Sequence, residues 1–315
     1  MSKGNRPRIV SLLPSATEIV CALGFGDALV GRSHECDFPT DLVADLPACT
    51  VSKIDVEQSS KRIDQAIKQV WQEHQTAGKA LSVYEVDAAM LDELTPDLIL
   101  TQDQCEVCAV NLSDVQRAVD AMVVSKPRVR SFSPLCLEDL WKDIEGVAEA
   151  VGDVTRGCEL LERLRRRVAQ IGWQSAQLEK RSGVTCLEWL DPVMGTGNWV
   201  PQLVELAGAV DLFGRAGEHS EYLSWEDFEK ADPRLIVSMP CGLGIERSRR
   251  DLEILLEHPV FGRCRAVRGS QVFLTDGNQY FNRPGPRLVE SLEILAEIFH
   301  PEVFDFGHAD EHPRM

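Results

Sequence analysis

The sequence predicts an α/β protein: two Rossmann-like lobes, each built on a central parallel sheet, joined by a single long backbone α-helix. Three observations lead there. Short apolar runs of strand character alternate with amphipathic helical stretches over residues 7–134. Through the middle of the chain, Leu137, Leu140, Trp141, Ile144, Val147, Ala148 and Val151 repeat at helical spacing, and Leu160, Leu161, Leu164, Val168 and Ile171 continue the stripe. The βα alternation then resumes over residues 181–303.

Taken in order, residues 8–13 read as a buried strand. Pro14 and Ser15 turn it into a helix over 17–23 that Gly24 closes, with Ser15 and Glu18 spaced as a capping box. This corner is either an anion- or ligand-facing site or a plain βα turn. A strand at 29–31 runs into a polar loop at 33–39. A helix at 63–71 puts Ile63, Ile67, Val70 and Trp71 on one face. Strands follow at 80–83, 97–101 and 129–132, with helices at 90–94 and 113–122. Residues 155–178 make one helix of about 36 Å at about 1.5 Å per residue. The second half gives strands at 184–190, 235–238 and 271–275 and helices at 199–207, 252–257 and 286–299. The expected division is an N-terminal lobe at 7–134, a helical backbone at 135–180, a C-terminal lobe at 181–303 and a frayed polar tail at 304–315.

Composition narrows the function. With 33 Lys+Arg against 50 Asp+Glu the formal charge is −17, which repels phosphate backbones and argues against nucleic acid. No apolar run approaches the ~20 residues that cross a bilayer, so no membrane insertion is expected. The first residues show neither a secretory signal nor a lipid-anchoring cysteine, which predicts a cytoplasmic location, or a periplasmic one if the true start lies elsewhere. In the cytosol the ten cysteines would be reduced thiols rather than a disulfide framework.

In open α/β sheets, ligands sit outside the carboxyl ends of the strands. The residues there are Pro14, Ser15, His34, Glu35, Cys36, Gln104, Cys105, Cys108, Glu188, Trp189, Asn198, Trp199, Cys241, Tyr280, Asn282 and Arg283. Facing each other across a cleft, they would offer aromatic walls and few fixed polar groups, which suits a large, flat, partly apolar ligand. Gln104, Asn198 and Asn282 would orient it. The bland alternative makes the Trp and Tyr residues ordinary core. Cys105-x-x-Cys108 is a lone CxxC. With His34, Cys36 or Cys241 it would hold zinc or iron, or ligate a metallocofactor axially. Otherwise these thiols are small buried side chains. Cys21, Cys49, Cys136, Cys158, Cys186 and Cys264 read as structural. His74, His258, His300, His308 and His312 have no carboxylate or thiol at useful spacing. No G-x-S-x-G, P-loop or H-E-x-x-H motif occurs, so binding is favoured over catalysis. The alternative is a thiolate-metal protein or oxidoreductase using the same cysteines.

Several segments together resemble one family. Residues 11–18 (SLLPSATE) followed by Leu23-Gly24 resemble the opening of the iron-siderophore and cobalamin substrate-binding proteins of ABC importers. Residues 95–100 (TPDLIL), 197–208 (GNWVPQLVELAG), 232–237 (DPRLIV) and 281–287 (FNRPGPR) resemble that family's later motifs in order, the last of them its cobalamin-binding branch. Arg234 replaces an acidic residue usual there. The resemblance spans about residues 7–301. It implies the class III periplasmic-binding-protein fold, with one backbone helix, little hinge motion and a ligand held between the lobes. The implied ligand is cobalamin or a related corrinoid, or another metal chelate such as haem or a siderophore. No Arg cluster reads as facing the cleft, which argues against a polyanionic ferric siderophore. The implied partner is an ABC permease, docked through exposed acidic residues on a monomer. A cytosolic relative would instead sequester or hand over its ligand.

Overall fold

A computed structural model describes residues 6–77, 83–103, 112–178 and 182–315. The chain forms two compact units. One comprises Met1–Gln58, Arg62–Pro134 and Glu138–Glu162, and the other Ser59–Lys61, Leu135–Leu137 and Arg163–Met315. Among the described residues no helix is long and apolar enough to cross a membrane.

The first unit contains β1 (Ile9–Ser11), β2 (Leu29–Arg32), β3 (Thr50–Ser52), β4 (Tyr84–Val86), β5 (Leu98–Gln102) and β6 (Arg128–Phe132). Four of them form an all-parallel sheet in the order β2-β1-β5-β6, with Val10 opposite Ile99 and Ile99 opposite Val129. The central strands are covered on both faces, which is why they read as unbroken apolar runs. Val10, Leu12, Leu91, Ile99, Val115 and Val119 form the core on one side. β3 and β4 make a separate antiparallel pair, Ser52 opposite Tyr84. Of the strand expected at 80–83, residues 80–82 lie outside the described residues, and the described strand that follows is Tyr84–Val86.

The helix after β1 runs Pro14–Ala22 and begins at the proline itself. Pro fits the first helical position because its missing N–H would be unpaired there anyway. Ser15 is therefore inside the first turn and buried, and the expected Ser15 cap does not form. Trp71 is also corrected: it stands half exposed on the Ser60–Ala77 helix instead of joining the apolar face.

The middle of the chain forms two helices, Leu137–Val151 and Val154–Ser175. Gly152 separates them at φ +81°, a left-handed turn that glycine adopts without strain. The second helix belongs to the first unit through Glu162 and to the second from Arg163. Arg156 ties its start to the first unit by donating to the Leu23 carbonyl at 3.0 Å. Arg167 ties its later part to the second unit by a fork onto Glu293 at 2.8 and 2.9 Å. It ends at Ser175, whose hydroxyl donates to the Leu206 carbonyl at 2.6 Å, short of the expected 178.

Burial pushes the Asp143 carboxyl on the Leu137–Val151 helix from 3.8 up to about 7, against the opposing charge of Arg130. Because the folded chain then holds this proton more tightly than the unfolded chain, stability falls as pH rises from the ordinary Asp value through about 7. Asp143→Asn is expected to raise the melting temperature at pH 8 and to raise it less at pH 5. Thermal denaturation at the two pH values checks this.

The second unit contains β7 (Ser182–Leu190), β8 (Val193–Gly195), β9 (Ala209–Asp211), β10 (Ile236–Ser238) and β11 (Val272–Leu274). β11, β10 and β7 lie side by side in parallel. β9 pairs in parallel with the start of β7, and β8 folds back antiparallel on its end. Phe228, fully buried, sits among Phe261, Trp225 and Phe213 with ring centroids at 5.4, 5.8 and 6.3 Å. Leu187, Ile236, Leu252 and Val272 complete that core.

The tail is not frayed. The Leu274 N–H donates to the Pro313 carbonyl and the Met315 N–H to the Val272 carbonyl, both at 2.9 Å. His308 and His312, expected to be unpaired, meet Glu293 and Glu297 of the Leu288–Phe299 helix, each at 3.1 Å. Burial alone would push the Glu297 carboxyl up, but His312 and the Phe306 and His308 N–H groups hold it below its usual range.

Candidate functional site

In the first unit the strand-end corner is built on β1 and β2. Ser33 follows β2 and donates its N–H to the Ser11 carbonyl at 2.8 Å, which fixes the loop that carries His34, Glu35 and Cys36. The loop then divides its side chains between core and surface. The Cys36 thiol turns inward: it accepts from the Thr17 hydroxyl at 3.1 Å, lies 3.7 Å from the Ser11 carbonyl and is buried. Its expected place among metal ligands is corrected accordingly, because the thiol is enclosed by the Pro14–Ala22 helix and β1. Pro14 and Ser15 are likewise buried in that helix.

His34 turns the other way. Its N–H and its Nδ1 both meet the Thr50 hydroxyl oxygen, at 3.1 and 2.8 Å. The Thr50 hydroxyl donates to Ser33 Oγ at 3.0 Å. The imidazole lies 5.5 Å from the Tyr84 ring at 44°. The Tyr84 hydroxyl in turn donates to Glu35 Oε1 at 2.9 Å. Burial, and then the charge of Arg32, push the His34 pKa below 6.5, so the ring is neutral at pH 7. Nε2 has no hydrogen-bond partner among the described residues. Sequence reasoning found His34 but not Thr50 or Tyr84, which lie on the β3–β4 pair, far along the chain and outside any local motif.

In the second unit the corner is built on β7, β8 and β10. Glu188, near the end of β7, accepts from the Ser220 hydroxyl at 2.7 Å. Burial raises its pKa, partly offset by Ser220 and the Gly197 N–H. Its carbonyl takes the N–H of Cys241, a half-buried thiol beyond β10. Trp189 is half-buried on β7 opposite Met194. Asn198 follows β8 at φ +52°, a left-handed conformation that Asn tolerates. Its N–H donates to the Glu218 carbonyl at 2.6 Å, and its Oδ1 is buried with no hydrogen-bond partner among the described residues.

Three expected ligand contacts hold a turn instead. Trp199 is buried and donates Nε1–H to the Phe281 carbonyl at 2.8 Å. Asn282 donates its amide to the Met239 and Gly277 carbonyls at 3.0 and 2.9 Å. Arg283 is buried and reaches Asn278 Oδ1 at 3.1 Å. Tyr280, in the same turn, is covered by the Arg287 guanidinium 4.5 Å from its ring centroid. The expected aromatic wall is therefore largely packed against protein.

Gln104, Cys105 and Cys108 lie outside the described residues. Among the described residues no group of three His, Cys, Asp or Glu side chains is placed to hold a metal ion. Of the cysteines read as structural, Cys49, Cys186 and Cys264 are buried, but Cys158 is exposed on the Val154–Ser175 helix. A surface cavity of about 610 Å³ in the second unit is lined by Thr196, Phe213, Arg215, His219, Tyr222 and Lys230, and by none of the expected ligand residues.

The chain matches the periplasmic binding protein family over residues 9–279. It is 22% identical over 301 residues to an uncharacterized ABC transporter substrate-binding lipoprotein, YvrC of Bacillus subtilis (strain 168), covering 94% of this chain and 81% of that protein. It is similar in fold to the periplasmic heme-binding protein RhuT from Roseiflexus sp. RS-1 in apo form, with a TM-score of 0.70 and 22% identity over 95% of this chain and 100% of that one. The periplasmic vitamin B12 binding protein BtuF of Vibrio cholerae is also similar, with a TM-score of 0.63 and 19% identity over 94% of this chain and 97% of that one. These relatives are binding proteins, one of them of an ABC transporter, and not enzymes. They also overturn the expected cytoplasmic location: periplasmic proteins and a lipoprotein point outside the cytoplasm. With the match extending from β1 into the turn after β11, the chain belongs to the periplasmic binding protein family.

Proposed function

We propose that the protein is the substrate-binding component of an ABC importer, and that its ligand is a large metal chelate of the corrinoid or haem class. Its delivery partner is then a permease. The similarity to heme- and vitamin B12-binding proteins supports the class of ligand.

The buried, unpartnered Oδ1 of Asn198 carries the reading furthest. A buried acceptor left unpaired costs about 1–3 kcal/mol, and a donor on a bound ligand would remove that cost. The periphery of cobalamin carries amide N–H donors, whereas ionised haem propionates only accept. A corrinoid therefore fits Asn198 better than haem does.

Gel filtration of the purified protein with hydroxocobalamin and with haemin tests the proposal. Hydroxocobalamin is expected to co-elute at micromolar concentration, more strongly than haemin. Retention of neither overturns the function, and preferential retention of haemin overturns the corrinoid assignment.

A further inference from the structure

We propose that His34 is an axial ligand to the metal of the bound chelate, through Nε2. This inference rests on the chelate-binding reading above. It starts from a chain of hydrogen bonds in the first unit alone. Thr50 has one hydroxyl proton, and that proton goes to Ser33 Oγ. With that proton placed on the Ser33 side, the Thr50 oxygen accepts at His34, from the backbone N–H at 3.1 Å and from Nδ1 at 2.8 Å. Nδ1 carries the ring proton, and Nε2 is left with its lone pair.

The rest of the surroundings agrees. The Tyr84 ring beside the imidazole, itself tied to Glu35, limits rotation. No described residue takes up Nε2. Metal-ligating histidines characteristically have the opposite ring nitrogen held by a fixed hydrogen-bond partner, and the Thr50 hydroxyl supplies one here. The residue stands just beyond the carboxyl end of β2, on the ligand side of a parallel sheet. The step is a simple exchange. Nε2 gives its electron pair to the metal, the water it replaces leaves (a bound hydroxide first takes one proton from solvent), and the oxidation state is unchanged.

Three probes separate axial ligation from ordinary contact. Hydroxocobalamin and haemin each offer an exchangeable axial position, and cyanocobalamin has both positions filled by slowly exchanging ligands. The full chain, His34→Ala and Thr50→Val are titrated with each and followed by visible absorption, with circular dichroism as the check on folding. Whichever exchangeable probe binds the unaltered protein is expected to shift its spectrum toward nitrogen ligation. His34→Ala should lose the shift and weaken that probe by at least about tenfold, and added imidazole should restore the spectrum. Thr50→Val, which keeps the ring but frees Nδ1, should weaken it by roughly tenfold. Cyanocobalamin affinity should change little in either variant.

A bound probe whose spectrum is the same with and without His34 overturns the ligation while leaving chelate binding intact. An equal loss for cyanocobalamin in a folded His34→Ala variant also overturns it, because that result marks a packing contact. No binding of any probe by the unaltered protein overturns both proposals.

Discussion

Gly277→Ala is expected to lower the melting temperature and abolish chelate retention together. A Cβ at this position meets the Pro240 carbonyl oxygen and lies 2.6 Å from the Met239 carbonyl carbon. Both are backbone atoms of the segment leaving β10, so no side chain can swing aside. Gly277 also donates its N–H to the Leu243 carbonyl at 3.1 Å, and Asn282 clamps the Met239 and Gly277 carbonyls together. Relieving the overlap separates the Gly277–Phe281 turn from β10 and disturbs Trp199, which holds the turn from its other side. Overpacking of this kind costs roughly 2–3 kcal/mol. Differential scanning calorimetry with a cobalamin co-elution assay reads both effects. A variant that melts normally and retains ligand would show that the turn has room the geometry denies it.

Phe228→Ala is expected to destabilise the second unit by about 3–5 kcal/mol. The side chain is fully enclosed by three aromatic neighbours, and Phe213 lies nearly parallel to it at an interplanar angle of 3°. Truncation leaves a hole that rigid rings cannot close, so the loss of transfer energy and the cavity add. Urea denaturation should show a lower midpoint at unchanged slope. A loss below about 1 kcal/mol would mean that Trp225 or Phe261 collapses into the space.

The parts of the fold that were legible share one property: their signal is local. β1, β5, β7 and β10 are covered on both faces and read as apolar runs. The Leu137–Val151 and Val154–Ser175 helices announce themselves by apolar stripes of seven and five positions at helical spacing. The three-residue β8 and β9 carry no periodicity to read, and they exist because β7 offers them an edge. At the site, residue type pointed to His34, Asn198 and Cys36 alike. Which of them turns outward was decided by distant partners, Thr50 for His34 and Thr17 for Cys36. The same distance hid the pairing of His308 with Glu293, fifteen residues apart. Trp199 and Asn282 looked like ligand contacts because aromatic and amide side chains serve turns and ligands equally well.

The tail has a consequence for how crowded copies of this protein coexist. β11 is the outer strand of its sheet, with a row of backbone donors and acceptors facing away from β10. Such a row is a template on which a second molecule can add a strand. Here Pro313 and Met315 already occupy it, and Arg314 lies across Phe273. Residues 313–315 thus fill the backbone row along β11 that a second molecule would otherwise meet.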